Sequence, residues 1–521
     1  MEHLVIDAST ASPYLFTAFP DGNTPVELLF RRLKDTYVET SATVVVPAGK
    51  ESLIPPLPAQ WSVLIVAEPA AAFELFSTLH ESLSTEIETL VWTSADAPFV
   101  DLSLAAYLHA LHQITWCDYT FADGFPQGYA PEILRRSILP VLRDLAGSAT
   151  VAWNRSVLFD TVSRDINAFD IETEAAAEDF ALLRLSLTVD TRQNYLLCRR
   201  LYERLGSQVF PPSVSVRPEE ERYPHRDLPL LATLLTQGDL RRTLPYYYQV
   251  QITTEAPQRP QYTVAASEGR APARPGTGEH LSVERWEQLL AMISHSTPEA
   301  IVAPGYLGDP ICHPEFPAFI RSVEAYPGLR LYLESSGVCW REEHFSAVQS
   351  AAVAAVIIEI DSVDPEQYRK LRGEGFEEAI STVERLRNTI PHRVYAQGTR
   401  MVDNEWELQP FFQHWDSRDG VTPLIQKYNS VAGILPDRRV VDLSPLRRIP
   451  CWHLQRDLVV RIDGAVPRCF QDLDLEAPRG NVFHDGLEAV WNAGGQEFSQ
   501  HLQEQLPAMC ERCDEYYTFN A

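Results

Sequence analysis

Four of the chain's eight cysteines fall within its last 71 residues. Cys451 and Cys469 are separated by 12 residues, Gly464 and then 4 residues, while Cys510 and Cys513 form a CxxC in "LPAMCERCDEYY". A CxxC turn presents two thiolates to one centre, and two more thiolates complete four-coordination. Two occupants fit such a set: a zinc ion, tetrahedral and structural, or a 4Fe–4S cluster, which brings redox chemistry. Spacing alone does not choose between them. The bland alternative, that cysteines are small buried hydrophobes, is the reading of the isolated Cys117, Cys198, Cys312 and Cys339. The grouping of the other four weighs against it.

Two aspartates form a second candidate. Asp96 lies in "VWTSADAPFVDLSLAAYL" and Asp190 in "LSLTVDTRQNYLLCRRLYERL". Mg²⁺ takes hard oxygen ligands and few of them from protein, so two separated carboxylates make chemical sense. Capping of helices or turns by the same residues carries more weight. His313, alone after "GDPIC", reads as a hydrogen-bonded histidine. The aromatics of "RMVDNEWELQPFFQHW" stand at helical spacing and read as core. No Ser-His-Asp pattern and no Gly-x4-Gly-Lys phosphate loop occurs.

The elements that must position these residues are those of an α/β protein. At 521 residues the chain is too long for one core. "HLVID", "ATVVVPA", "WSVLIVA" and "TLVWTSADAP" read as buried strands of a mostly parallel sheet, with helices at "TPVELLFRRLKDTYV" and at "DLSLAAYLHALHQI", the latter capped by Asp101. This unit spans 1–208. A Pro-rich, charged linker follows at 209–239. From 240 to 435, strands at "YYYQVQITTE", "AIVAPGYLG", "LRLYLESSG", "VAAVIIEIDS" and "RVYAQGTRM" alternate with helices, which predicts a full or partial parallel (β/α) barrel whose functional loops follow its strands. The Pro-, Gly- and Ala-rich stretch between "QITTE" and Leu281 reads as a long loop. The cysteine-rich tail occupies 436–521.

The formal net charge of −27, from 71 acidic against 44 basic residues, argues against non-specific nucleic-acid binding. No apolar run is long enough to cross a membrane, and the N-terminus lacks the layout of a signal peptide, so the cytoplasm is the expected location. An unidentified protein or small molecule is the expected partner, with neither nucleic acid nor membrane.

The tail, through its Cys–Gly–Cys spacing, "IDGAVPRC", "GNVF", "LEAVWN" and the final CxxC, resembles a SPASM domain, the auxiliary cluster module that follows many radical-SAM barrels. With no cysteine after the CxxC, it implies at most one four-cysteine cluster. "AIVAPGYLGDPICHPEF", with Asp309 in place of the usual acid, "LYLESSG" and "IEIDSVDPEQYRKLRG" resemble segments of the radical-SAM barrel itself. That family holds its catalytic cluster on a CxxxCxxC loop after the first barrel strand. Here "ITTEAPQRPQYT" puts Ala256, Pro260 and Thr263 at the three positions, and none ligates iron as a thiolate does. This argues against cleavage of S-adenosylmethionine.

The N-terminal unit resembles the GT-A-type, cytidylyltransferase-like nucleotidyltransferases, which implies Mg²⁺ at Asp96 and Asp190. Asn194 stands where a further acid is expected, and "IDASTASPYLFTAFPDGNTPVELL" lacks the Lys and Arg that meet a triphosphate. In this order the three parts resemble the spiro-SPASM proteins. The expectation is an iron–sulfur protein with an inactive radical-SAM-like barrel in an accessory or binding role beside a modification pathway. Nucleotidyl or sugar-nucleotide transfer by the N-terminal unit, and a structural protein with a zinc-stapled tail, are the competing readings.

Overall fold

A computed structural model describes residues 1–67, 71–147, 151–178, 180–210, 218, 223, 228–264, 278–445 and 448–518. It divides into two compact units, Met1–Thr243 and Leu244–Ala521. Residues 211–217, 219–222 and 224–227 of the stretch read as a linker, and 265–277 of the long loop, lie outside the described residues.

The first unit is built on a sheet of seven strands: β1 (Glu2–Asp7), β2 (Ser41–Pro47), β3 (Trp61–Val66), β4 (Thr89–Ser94), β5 (Tyr119–Asp123), β6 (Glu132–Arg135) and β7 (Ile171–Ala175). The order is β3-β2-β1-β4-β6-β5-β7. β1 to β4 are mutually parallel; β1, β2 and β4 are buried on both faces, as Leu4, Val5 and Ile6 illustrate, so they read as continuous apolar runs, while the edge strand β3 exposes Val63 and Ile65. β6 runs antiparallel to both neighbours. The helix Pro25–Thr36 starts in a reciprocal cap between Thr24 and Glu27. The helix Leu102–Thr115 starts on Asp101, whose carboxylate accepts from the N–H groups of Ser103 and Leu104 as expected. That cap is also buried beneath the hydroxyls of Tyr129 and Tyr223, which donate to its other oxygen.

The second unit is an open, all-parallel (β/α) sheet: β8 (Tyr247–Val250), β9 (Ile301–Ala303), β10 (Arg330–Ser335), β11 (Val353–Glu359), β12 (Val394–Arg400), β13 (Val421–Lys427) and β14 (Asp457–Val460), in the order β14-β8-β9-β10-β11-β12-β13. Alternation along the strands sorts the side chains. Tyr248, Val250, Val302, Leu331, Leu333, Val356 and Ile358 enter one apolar core with helix residues such as Trp286, Phe319 and Leu386. Gln249, Glu334, Glu359 and Gln397 belong to the opposite set and line a cavity instead.

β14 comes from the cysteine tail. It pairs in parallel with β8, Asp457 opposite Tyr247 and Val460 opposite Val250, so the tail extends the sheet rather than standing beside it. Cys451 precedes this strand and Cys469 follows it. Phe411 and Trp415 are fully buried as their spacing predicts, whereas Trp406 is 67% exposed.

Candidate cluster site and carboxylate sites

Cys451 caps the short helix Trp452–Arg456 that leads into β14. After β14 the chain turns at Asp463-Gly464, where Gly464 has φ +89° and an added Cβ would lie 2.3 Å from the Phe483 ring. That turn delivers Cys469. Cys510 and Cys513 sit at the end of the chain, fixed by Arg448, whose guanidinium donates to the Cys510 carbonyl at 2.6 Å and to the Cys513 carbonyl at 3.3 Å. His453 joins the two halves. Its ring meets the Asp457 carboxylate at 2.6 Å through Nδ1, and its Nε2 donates to the Glu515 carbonyl at 3.0 Å.

The fold leaves Cys510 buried and Cys451, Cys469 and Cys513 half-buried, near enough for charge on the other three to be felt at Cys451. Burial, then Cys469, Cys513 and Cys510, push the Cys451 thiol far above its ordinary pKa. Burial is likewise the leading cause for Cys469, pushed up to about 12, Cys510, to about 11, and Cys513, to about 12. Backbone N–H groups oppose it at three of the four: Leu454 donates to Cys451, Gln471 to Cys469, and Glu515 to Cys513 at 3.4 Å. Such donors stabilise thiolates, and a bound metal displaces the protons outright. In chemistry the donor set suits a thiolate-ligated centre, while in placement the thiols are not gathered as a ready set of ligands. Among the described residues no group of three or more His, Cys, Asp or Glu side chains stands ready to hold a metal ion.

The cavity at the strand ends has a volume of about 540 Å³. Ala256, Pro260 and Thr263 line it. The segment "IEIDSVDPEQYRKLRG" holds that loop. Asp364 caps the helix Pro365–Arg372, and Arg372 at its end pairs with Asp361 at 2.7 Å and Glu359 at 2.6 Å. Arg372 also donates to Tyr262 at 2.8 Å, and Gln258 donates to Tyr368 at 2.9 Å. Asp309, at the other wall, accepts from Ser335 and from both the N–H and hydroxyl of Ser336, yet burial still pushes its carboxyl up to about 6. His313 lies outside the cavity. It is buried, donating from Nε2 to the Leu281 carbonyl and accepting the Glu315 N–H at Nδ1, which makes it a neutral structural histidine. Cys339 departs from the expected burial: it is exposed, on a turn with φ 66°.

In the first unit the structure brings Asp96 and Asp190 together around a cation of the chain itself. Arg155 pairs with the Asp96 carboxylate through Nη2 and reaches Asp190 through Nη1 at 3.3 Å. Thr10 and Ser94 also donate to Asp96, while Thr188 and Asn194 donate to Asp190. Burial raises the Asp96 pKa against the pull of Arg155. At Asp190, burial is outweighed by Arg155 and the hydrogen bonds of Asn194 and Thr188, which leave the carboxyl below its ordinary value. No sequence signal marked Arg155, which lies in the motif-free "AWNRSV". An adjoining cavity of about 240 Å³ is lined by Arg155, Asp7 and Glu132.

The family comparisons fall on the second unit. A model of the radical SAM superfamily matches residues 261–405, beginning just past Ala256 and Pro260. A model described as an iron-sulfur cluster-binding domain, SPASM, matches 451–514, a span that contains all four clustered cysteines. An uncharacterized protein of Treponema pallidum (strain Nichols) is 30% identical over 380 residues, which is 70% of this chain and 99% of that one. Among solved structures, BtrN in complex with AdoMet and 2-DOIA aligns at 14% identity with a TM-score of 0.36, over 52% of this chain and 94% of that one. A cytidylyltransferase from Leptospira borgpetersenii aligns at 16% with a TM-score of 0.35, over 46% and 95%. No helix among the described residues is long and apolar enough to cross a membrane. The radical-SAM and iron–sulfur matches follow one another in one unit, and the chain belongs to the radical-SAM/SPASM family.

Proposed function

We propose that this protein is an accessory or binding protein of a modification pathway, carrying one 4Fe–4S cluster on Cys451, Cys469, Cys510 and Cys513. Its barrel does not cleave S-adenosylmethionine. The observation that carries the reading is that all four cysteines fall within the residues that the cluster-binding model matches, with charge on three of them felt at Cys451. A bound cluster would supply one-electron transfer. The chain's own part is to hold the sulfurs: the Leu454, Gln471 and Glu515 N–H groups offset charge on three of them, and Arg448 fixes the turn that carries the other pair.

Ala256, Pro260 and Thr263 offer no thiolate to a second cluster, and they present apolar and hydroxyl surface to the cavity instead. In the first unit the guanidinium of Arg155 takes the place between Asp96 and Asp190 that a divalent cation would need, so nucleotidyl transfer is the weaker reading. Serine substitution of each of the four cysteines in turn tests the assignment. Every one of the four variants is expected to lose the visible absorption of the anaerobically purified protein, and Cys117→Ser to keep it. A clustered cysteine whose replacement leaves the spectrum intact is not a ligand.

A further inference from the structure

The cavity of the second unit contains polar groups that nothing among the described residues satisfies. Gln471 is 2% exposed, lines the cavity, and has no partner at Oε1 or Nε2 among the described residues. Gln249 Oε1 is buried and equally unpartnered. Glu334, on the same inward-facing set of β10, makes no hydrogen bond or ion pair among the described residues. Burial and the nearby Glu359 push its carboxyl up to about 7. Buried amides are ordinarily paired, and two with unpartnered atoms beside a half-buried, unpaired carboxyl around a single cavity are what a ligand would complete.

Charge decides which ligand. None of the lining cations is free: Arg372 pairs with Glu359 and Asp361, Lys427 with Asp514 and Glu515, and Arg259 is also engaged. Asp309, Glu359 and Glu515 are spent on Ser335 and Ser336, on Arg372 and on Lys427. Of the lining carboxyls, Asp309 and Glu334 have no cation partner among the described residues, and Glu334 alone has no hydrogen-bond donor either. A phosphate or carboxylate would meet repulsion with no open cation to answer it, whereas a cation with N–H donors meets a counter-ion and two amide acceptors. Pro257, Pro260, Tyr306 and Phe470 add the apolar wall that an aliphatic stem covers.

We propose that this cavity binds an alkylammonium-bearing molecule, with Glu334 as the counter-ion and the Gln249 and Gln471 side chains as its polar contacts. The site goes beyond the cluster assignment and does not depend on it.

The test is calorimetry on the full chain, purified anaerobically, with Nα-acetyl-lysine N-methylamide as the probe. Its norleucine counterpart lacks only the ammonium, and pyrophosphate serves as the anion. The lysine compound is expected to bind and the other two not. Glu334→Gln, which keeps the shape and removes the charge, is expected to weaken binding at least about tenfold, and Gln249→Leu to weaken it less. Absence of heat with the lysine compound, equal binding of the norleucine compound, binding of pyrophosphate, or an unchanged affinity in Glu334→Gln would each overturn the proposal. Iron content of the same sample reports on the cluster separately.

Discussion

Arg155 bridges Asp96 and Asp190: its Nη2 pairs with one carboxylate and its Nη1 lies 3.3 Å from the other. Asp96 is completely buried, and the guanidinium opposes the rise in its pKa that burial causes. Arg155→Leu is expected to destabilise the first unit by about 3–5 kcal/mol, because it leaves a buried carboxylate without its cation. Arg155→Leu with Asp96→Asn is expected to recover part of that loss. Urea unfolding of the two variants checks both.

The same bridge bears on metal binding. With its own cation in place and no Lys or Arg in "IDASTASPYLFTAFPDGNTPVELL", the unit is expected to give no heat with CTP and Mg²⁺. Saturable binding that Asp190→Asn abolishes would restore the nucleotidyltransferase reading.

Glu132 supplies a pH dependence with a definite sign. Burial pushes its carboxyl from 4.5 up to about 7, although Tyr119 donates to it at 2.6 Å. The folded state therefore holds a proton that the unfolded state has released between these values. The stability this group contributes is complete below about pH 4.5 and is lost as pH rises through about 7. Asp7, pushed up to about 6 chiefly by burial, acts in the same direction. Glu132→Gln is expected to flatten the fall of the urea midpoint across this window. An unchanged slope would show that Glu132 does not titrate as described.

Gly464 is expected to be needed for the delivery of Cys469. Its left-handed backbone and the 2.3 Å approach of the Phe483 ring leave no room for a side chain. Gly464→Val is expected to lower the iron content of purified protein relative to wild type, whereas Gly206→Ala, also at a left-handed position (φ +56°) but in the first unit, is expected to leave iron unchanged.

Much of this architecture was legible in the sequence, for physical reasons that differ by element. "HLVID" and "VAAVIIEIDS" are buried runs, and length with β-branched content marked them as strands. The Asp101 cap and the helix at "FEEAISTVERLRNT" follow from local signals alone. β6 was not legible, because Glu132–Arg135 is too short to show a period. Neither was the pairing of β14 with β8, which joins residues about two hundred positions apart without altering either one's local pattern. The cysteine set was readable because thiolate chemistry needs those atoms. Arg155, Glu334 and Gln471 were not, because their roles lie in tertiary position: a guanidinium between two carboxylates, and a carboxyl and an amide facing one cavity.

The barrel loop yields a further expectation. With Ala256, Pro260 and Thr263 facing the cavity, the reduced protein is expected to produce no 5′-deoxyadenosine from S-adenosylmethionine. Turnover above a protein-free control would contradict the assignment of those positions.

Cys451, Cys469, Cys510 and Cys513 are expected to hold an iron–sulfur cluster. Metal analysis with visible absorption of anaerobically purified protein tests it most directly. Brown protein carrying about four irons per chain and little zinc is expected. Colourless protein carrying one zinc per chain would contradict it.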